Sequence, residues 1–206
     1  MTDARLGFAS YVVLALVGRG GAGAHDMAAA IQLGGQIYGG MAPSQTYAEA
    51  KRLTLLGLLV ARIEPGLTTA RTVYRLTERG HGVLVAYLRE ASPFPTLRQE
   101  VTLRLVAGDF LTDAEIVASV TAMRVDTDRI EAMVAAMEET AQKWPHRQRY
   151  LMLQHRLARR LIDTYRDWMT EVEAELSGPA NEPAGGAPAD FSGVGAGLIR
   201  PDPEPS

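Results

Sequence analysis

The sequence predicts a mainly α fold with a small β wing, and three stretches carry that expectation. Pro43 to Leu56 has helical spacing and is closed by Gly57. Leu58 to Ile63 and Thr72 to Leu76 are rich in β-branched or aromatic residues and flank Pro65-Gly66, a strong turn signal, so a hairpin is expected directly after the helix. Beyond residue 110, apolar residues recur at helical spacing for two long runs. The predicted architecture is an N-terminal winged helix-turn-helix at 1–91, a helical dimerisation arm at 92–177 and a disordered, acidic Pro/Gly-rich tail at 178–206.

At the front, the apolar run Tyr11 to Val17 leads into Gly18-Arg19-Gly20-Gly21-Ala22-Gly23, which matches the spacing G-x-G-x-x-G. In a dinucleotide fold such glycines let the backbone approach a pyrophosphate, and a second strand ends in an acid about 20 residues on. Here Gly34 to Tyr47 contains four glycines and a proline but no β-branched run, so that strand is missing. The glycines are expected to form a turn between two helices.

The helix over 43–56 places Tyr47, Ala50 and Leu53 three apart on one side, with Ser44, Gln45, Glu49, Lys51 and Arg52 largely elsewhere. A recognition helix presents its N-terminal residues to base edges, where Gln can contact adenine through two hydrogen bonds and Ser or Thr can serve base or phosphate. Ser44, Gln45, Thr46, Tyr47, Lys51 and Arg52 are therefore the candidate reading set. The hairpin tip carries Thr68, Thr69, Arg71 and Thr72, residues suited to phosphate or minor-groove contact that position without selecting sequence.

These residues resemble the PadR-like transcriptional regulators. Members share Tyr, a small residue, a basic pair and Leu, matched by Tyr47-Ala48-Glu49-Ala50-Lys51-Arg52-Leu53, then Gly-Leu at Gly57-Leu58. They also share a wing ending in Tyr-Arg-Leu-Thr-x-x-Gly, matched by Tyr74 to Gly80. The similarity spans roughly residues 8–176. It departs from the family at Ala24-His25, where Gly-Tyr is frequent, and in a less basic wing. The resemblance implies a homodimeric repressor with Tyr47 at the DNA face, and a small aromatic or hydrophobic effector. Phe8, Tyr11, Leu97 and Trp168 are the candidate lining of an effector pocket, with core packing as the competing role for each.

In the second half, Thr112-Asp113-Ala114-Glu115 is a capping box that opens a helix. Ile116, Val120, Met123, Thr127, Ile130, Val134 and Met137 then recur at alternating spacings of four and three, a heptad seam roughly 40 Å long if one helix carries it. Two explanations stand side by side: a coiled coil with a second chain, or packing against the last helix. That helix starts at Pro145, and its stripe is Leu153, Leu157, Leu161, Tyr165, Trp168, Val172 and Leu176, with His155-Arg156 and Arg159-Arg160 expected on a solvated face. Ile116, Val120, Met123, Ile130, Val134, Met137, Leu161 and Trp168 are the candidate dimerisation residues. Two-fold symmetry would set two recognition helices about 34 Å apart on a pseudo-palindromic operator in double-stranded DNA.

Charge follows the same division. Residues 1–89 hold nine Lys/Arg against five Asp/Glu, a net +4, and the remainder carries −7, for a total of −3. Cysteine is absent, which excludes disulfides and thiolate metal sites. No apolar stretch approaches the length of a membrane span, so a soluble cytoplasmic protein without membrane contact is expected. His25, His81, His146 and His155 are scattered without metal-ligand spacing, and no nucleophile motif appears, so neither a metal, a cofactor nor catalysis is expected. The alternative within the fold is a winged-helix module that binds a protein and has lost DNA binding.

Overall fold

The computed structural model describes residues 6–38, 41–65, 70–95 and 99–178. Its elements run α1 (Phe8–Val17), β1 (Ala22–Gly23), α2 (Ala24–Tyr38), α3 (Pro43–Leu55), β2 (Leu59–Glu64), β3 (Arg71–Leu76) and α4 (Glu78–Arg89). They continue with α5 (Glu100–Val106), a single 3-10 turn at Gly108–Phe110, α6 (Asp113–Thr121), α7 (Met123–Ala141) and α8 (Pro145–Glu175). Described residues up to 95 group with 125–166 as one compact unit, and 99–124 group with 167–178 as a second.

In the first unit, α1, α2 and α3 close around Val13, Leu14, Val17, Met27, Leu53 and Leu59, all 2% exposed or less. α2 and α3 pack as a helix-turn-helix, and the hairpin follows directly. Pro43 opens α3, where its missing N–H costs nothing, and Gly57 closes it with a φ of 70° that other residues rarely adopt. Tyr11 and Tyr87 stack with ring centroids 3.6 Å apart, which ties α1 to α4.

The wing holds a third strand that the sequence reading did not include. β3 lies between β2 and β1, antiparallel to both, with Glu64 opposite Arg71, Arg62 opposite Val73 and Gly23 opposite Val73 on the other side. The glycine-rich segment is thus a turn, as expected, that ends by adding two residues to the sheet. Two residues are too short a run to show any strand periodicity.

The wing motif is chiefly a scaffold. Thr77 caps α4, accepting from the Gly80 N–H at 3.0 Å and donating to the Gly57 carbonyl at 2.8 Å. Gly80 lies so close to the Leu58 carbonyl that any Cβ there would overlap it. Tyr74 and Leu76 pack on the core.

In the second unit, Val101, Ile116, Val120, Met169 and Val172 form a separate core, with Met123, Trp168 and Leu176 against it. The Thr112 box forms as predicted, the Thr112 N–H donating to Glu115 Oε2 at 2.9 Å while Thr112 Oγ1 accepts from the Glu115 N–H at 3.3 Å. The single long helix expected from 112 onward is instead two, interrupted at Ala122. Ser119 and Thr121 hydroxyls donate back to the Ile116 and Val117 carbonyls, a competition with the backbone ladder that bends helices.

Candidate nucleic-acid interface

The inward stripe of α3 is Thr46, Ala50 and Leu53, each fully buried. This corrects the reading of Thr46 as a DNA contact: its hydroxyl lies in the core, and Oγ1 has no hydrogen-bond partner. With Thr46 inside, helical geometry turns Ser44, Gln45, Tyr47, Ala48 and Lys51 outward, and all five are exposed. Tyr47 is 48% exposed, a large aromatic left in solvent on a helix whose other face is packed.

Two members of the predicted set have partners within the chain. Arg52 Nη2 donates to Glu49 Oε1 at 2.7 Å and to the buried Ser10 Oγ at 2.9 Å, so its guanidinium fastens α3 to α1. That bond holds the Glu49 carboxyl below its ordinary value and the Arg52 guanidinium above its own. Arg52 thereby also fastens the scaffold, with its side chain still 42% exposed. Gln45 Oε1 accepts from the Ala42 N–H at 3.2 Å, closing the first turn of its own helix. The residue itself remains exposed.

On the wing, alternation along the strands places Arg71, Val73 and Arg75 of β3 on one face with Val60, Arg62 and Glu64 of β2. Arg75 pairs with Glu64 at 3.0 Å, and Arg71 lies 3.6 Å from Asp26 at the start of α2. Both Arg71 and Asp26 side chains are more than half exposed, so this pair is weak and easily exchanged for a phosphate. Arg62 is exposed and has no ion-pair partner among the described residues. It was missed by sequence reasoning because only the register across β2 and β3 shows it beside Arg71. Thr72 is exposed as expected, whereas Thr68 and Thr69 lie outside the described residues.

The remaining predicted residues are distributed differently from expectation. Ile116 and Val120 are buried against Met169 and Val172, and Val134 against Ala158 and Ile162, with Ile130 and Met137 beside them. The heptad seam therefore packs within its own chain, and Met123 and Trp168 likewise flank an internal core. Ile116, Val120 and Val134 are thereby buried within the chain, which corrects their reading as direct contacts to a second subunit, whereas Met123, Ile130, Met137 and Trp168 are only partly buried. The α8 stripe divides along its length: Trp168, Val172 and Leu176 pack on the second core, but Leu153, Leu157 and Leu161 are 53%, 58% and 44% exposed. The inward positions at that level are His155, Ala158 and Ile162. His155, expected on a solvated face, is 3% exposed, and burial pushes its pKa down. Of the proposed effector lining, Tyr11 packs on the head core, Phe8 is exposed, Trp168 flanks the second core and Leu97 lies outside the described residues.

Ion pairs line the α7–α8 seam: Arg159 with Glu138 at 2.6 Å, and Arg166 with Asp128 at 2.6 Å and with Glu131 at 2.7 Å. Among the described residues no three His, Asp or Glu side chains are grouped to hold a metal ion, and no helix is long and apolar enough to cross a membrane.

Comparison with solved structures gives the fold its class. Bacillus subtilis PadR in complex with operator DNA superposes with a TM-score of 0.65 at 20% identity, over 82% of this chain and 96% of that one. The Vibrio cholerae virulence activator AphA gives a TM-score of 0.65 at 20% identity, covering 82% and 98% of the two chains. B. subtilis PadR in complex with p-coumaric acid gives 0.59 at 21% identity, with 82% and 96% covered. The fold is that of the PadR-like transcriptional regulators, a winged helix followed by a helical arm. No family model matches the sequence, and no curated protein does.

Proposed function

We propose that this protein is a dimeric, sequence-specific DNA-binding transcriptional regulator. The observation that carries the reading is the outward face of α3, where Ser44, Gln45, Tyr47 and Lys51 stand exposed beside a wing bearing Arg62 and Arg71. A helix-turn-helix buries one face of its second helix and offers the other to the major groove, and a basic ribbon beside it meets the phosphate backbone. The PadR structure with operator DNA supports the same use of the same fold.

The dimer face we assign is Leu153, Leu157 and Leu161 of α8, with Tyr150 one turn before them at 67% exposure. Four large apolar side chains in one stripe, on a helix whose opposite face is already packed, form a surface that a two-fold partner covers with its own copy. Such a dimer brings two reading helices to a pseudo-palindromic operator, and repression follows by exclusion of polymerase. The p-coumaric acid complex of PadR supports a small aromatic effector, which acts by favouring the free conformation over the DNA-bound one.

The test is a gel shift of the native protein on the DNA upstream of its own coding sequence, repeated across salt. Specific retardation that weakens linearly in log salt is the expected result. A native protein without sequence preference would leave the winged helix as a protein-interaction module.

A further inference from the structure

Gly18 ends α1 with φ 53° and ψ −160°, and a Cβ built there would overlap the guanidinium of Arg147, 129 positions along the chain. Arg147 stands in the first turn of α8, and its Nη2 donates to the Ala15 carbonyl at 3.0 Å. That carbonyl is one of the last four of α1, which have no partner within the helix, and a cation there also meets the negative end of the helix dipole. The bare backbone of Gly18 is what lets the guanidinium lie so close.

Resting on the regulator reading above, we infer that Arg147 is a positioning residue that latches the arm to the reading head and thereby sets the operator half-site spacing the protein accepts. One end of the connection is α1, which is fastened to the reading helix by the Arg52–Ser10 hydrogen bond and by the buried contacts of Leu14 and Leu53. The other end is α8, on which Leu157 lies ten residues, or about 15 Å, beyond Arg147. The contacts between α8 and α1 at this point include the Arg147 hydrogen bond and the guanidinium against Gly18. Removing the guanidinium frees the direction in which α8 leaves the head while leaving both the head core and the leucine stripe intact.

The experiment measures binding of the full-length wild type, Arg147→Ala and Arg147→Lys to duplexes whose two half-sites are moved apart or together one base pair at a time. Wild type should lose about 10-fold in affinity per base pair of displacement, and Arg147→Ala about 3-fold or less, giving a flattened profile. Arg147→Lys, which keeps the charge and a donor, should fall between them. Dimer mass by light scattering, melting temperature and affinity for a single half-site should be unchanged in Arg147→Ala. A spacing profile of unchanged shape overturns the inference while leaving the regulator reading intact. A large drop in melting temperature also overturns it, because the residue is then structural. Wild type without sequence preference on any duplex overturns the regulator reading and the inference together.

Discussion

The head and the 125–166 part of the α7–α8 pair are stabilised in different ways, although both lie in the same compact unit. Around α3 the core is broad and aliphatic, built from Val13, Leu14, Val17, Met27, Leu53 and Leu59. Between α7 and α8 it is narrow, with Val134, Ala158 and Ile162 buried and ion pairs from Arg159 and Arg166 along its edge. Beside a seam so thin, Leu153, Leu157 and Leu161 of α8 stay exposed. The difference teaches that the head closes a broad core within one chain, whereas the α7–α8 seam leaves a stripe of leucines exposed along one helix, the stripe to which the proposed dimer face is assigned.

The sharpest way to break this comparison is in the head. Leu53→Ala should cost about 2–5 kcal/mol of stability, read as a fall in melting temperature, because a fully buried leucine leaves a cavity. A cost no larger than that of Leu157→Ala would contradict the contrast. Next in size, Leu157→Asp should weaken the dimer by roughly 3 kcal/mol or more, since the change occurs twice across a two-fold interface. Light scattering should show a monomer whose circular dichroism remains helical; an undiminished dimer mass would remove the leucine stripe from the interface.

A smaller effect is expected at the seam. Glu138→Gln should cost about 1 kcal/mol or less near neutral pH, because the pair with Arg159 is partly exposed and screened. The Arg159 guanidinium holds the Glu138 carboxyl below the ordinary value of 4.5. The contribution is therefore full above that value and lost as pH falls through the lower folded value, so parent and variant should converge in acid. Urea melts at several pH values check the convergence. Smallest of all, Thr46→Val should be neutral or stabilising by up to about 1 kcal/mol, since it removes a buried hydroxyl without a partner. A marked loss of stability would show that the hydroxyl is satisfied.

Much of this was legible in the sequence where a local rule fixes the outcome. Pro43 and Gly57 bounded α3, the Thr112 box opened α6, the β-branched runs marked β2 and β3, and Pro145 opened α8. What escaped depended on choices between neighbouring helical faces. Thr46 and Tyr47 differ by 100° on a helix, and hydropathy alone favours burying the tyrosine; the packed neighbours select the threonine. In α8 the leucines look more inward than His155 and Ala158, yet the narrow seam takes the small residue and the histidine. Arg62 gained its place beside Arg71 only through strand register, which composition does not reveal.

The central claim is that the outward face of α3 reads DNA as one half of a two-fold pair. Selection of fragments bound by the native protein from random duplex DNA tests it most directly. The account predicts an enriched motif of two inverted half-sites with centres about 10 base pairs apart, degraded at one position per half-site by Gln45→Ala. No enrichment, or a single unpaired motif, would contradict it.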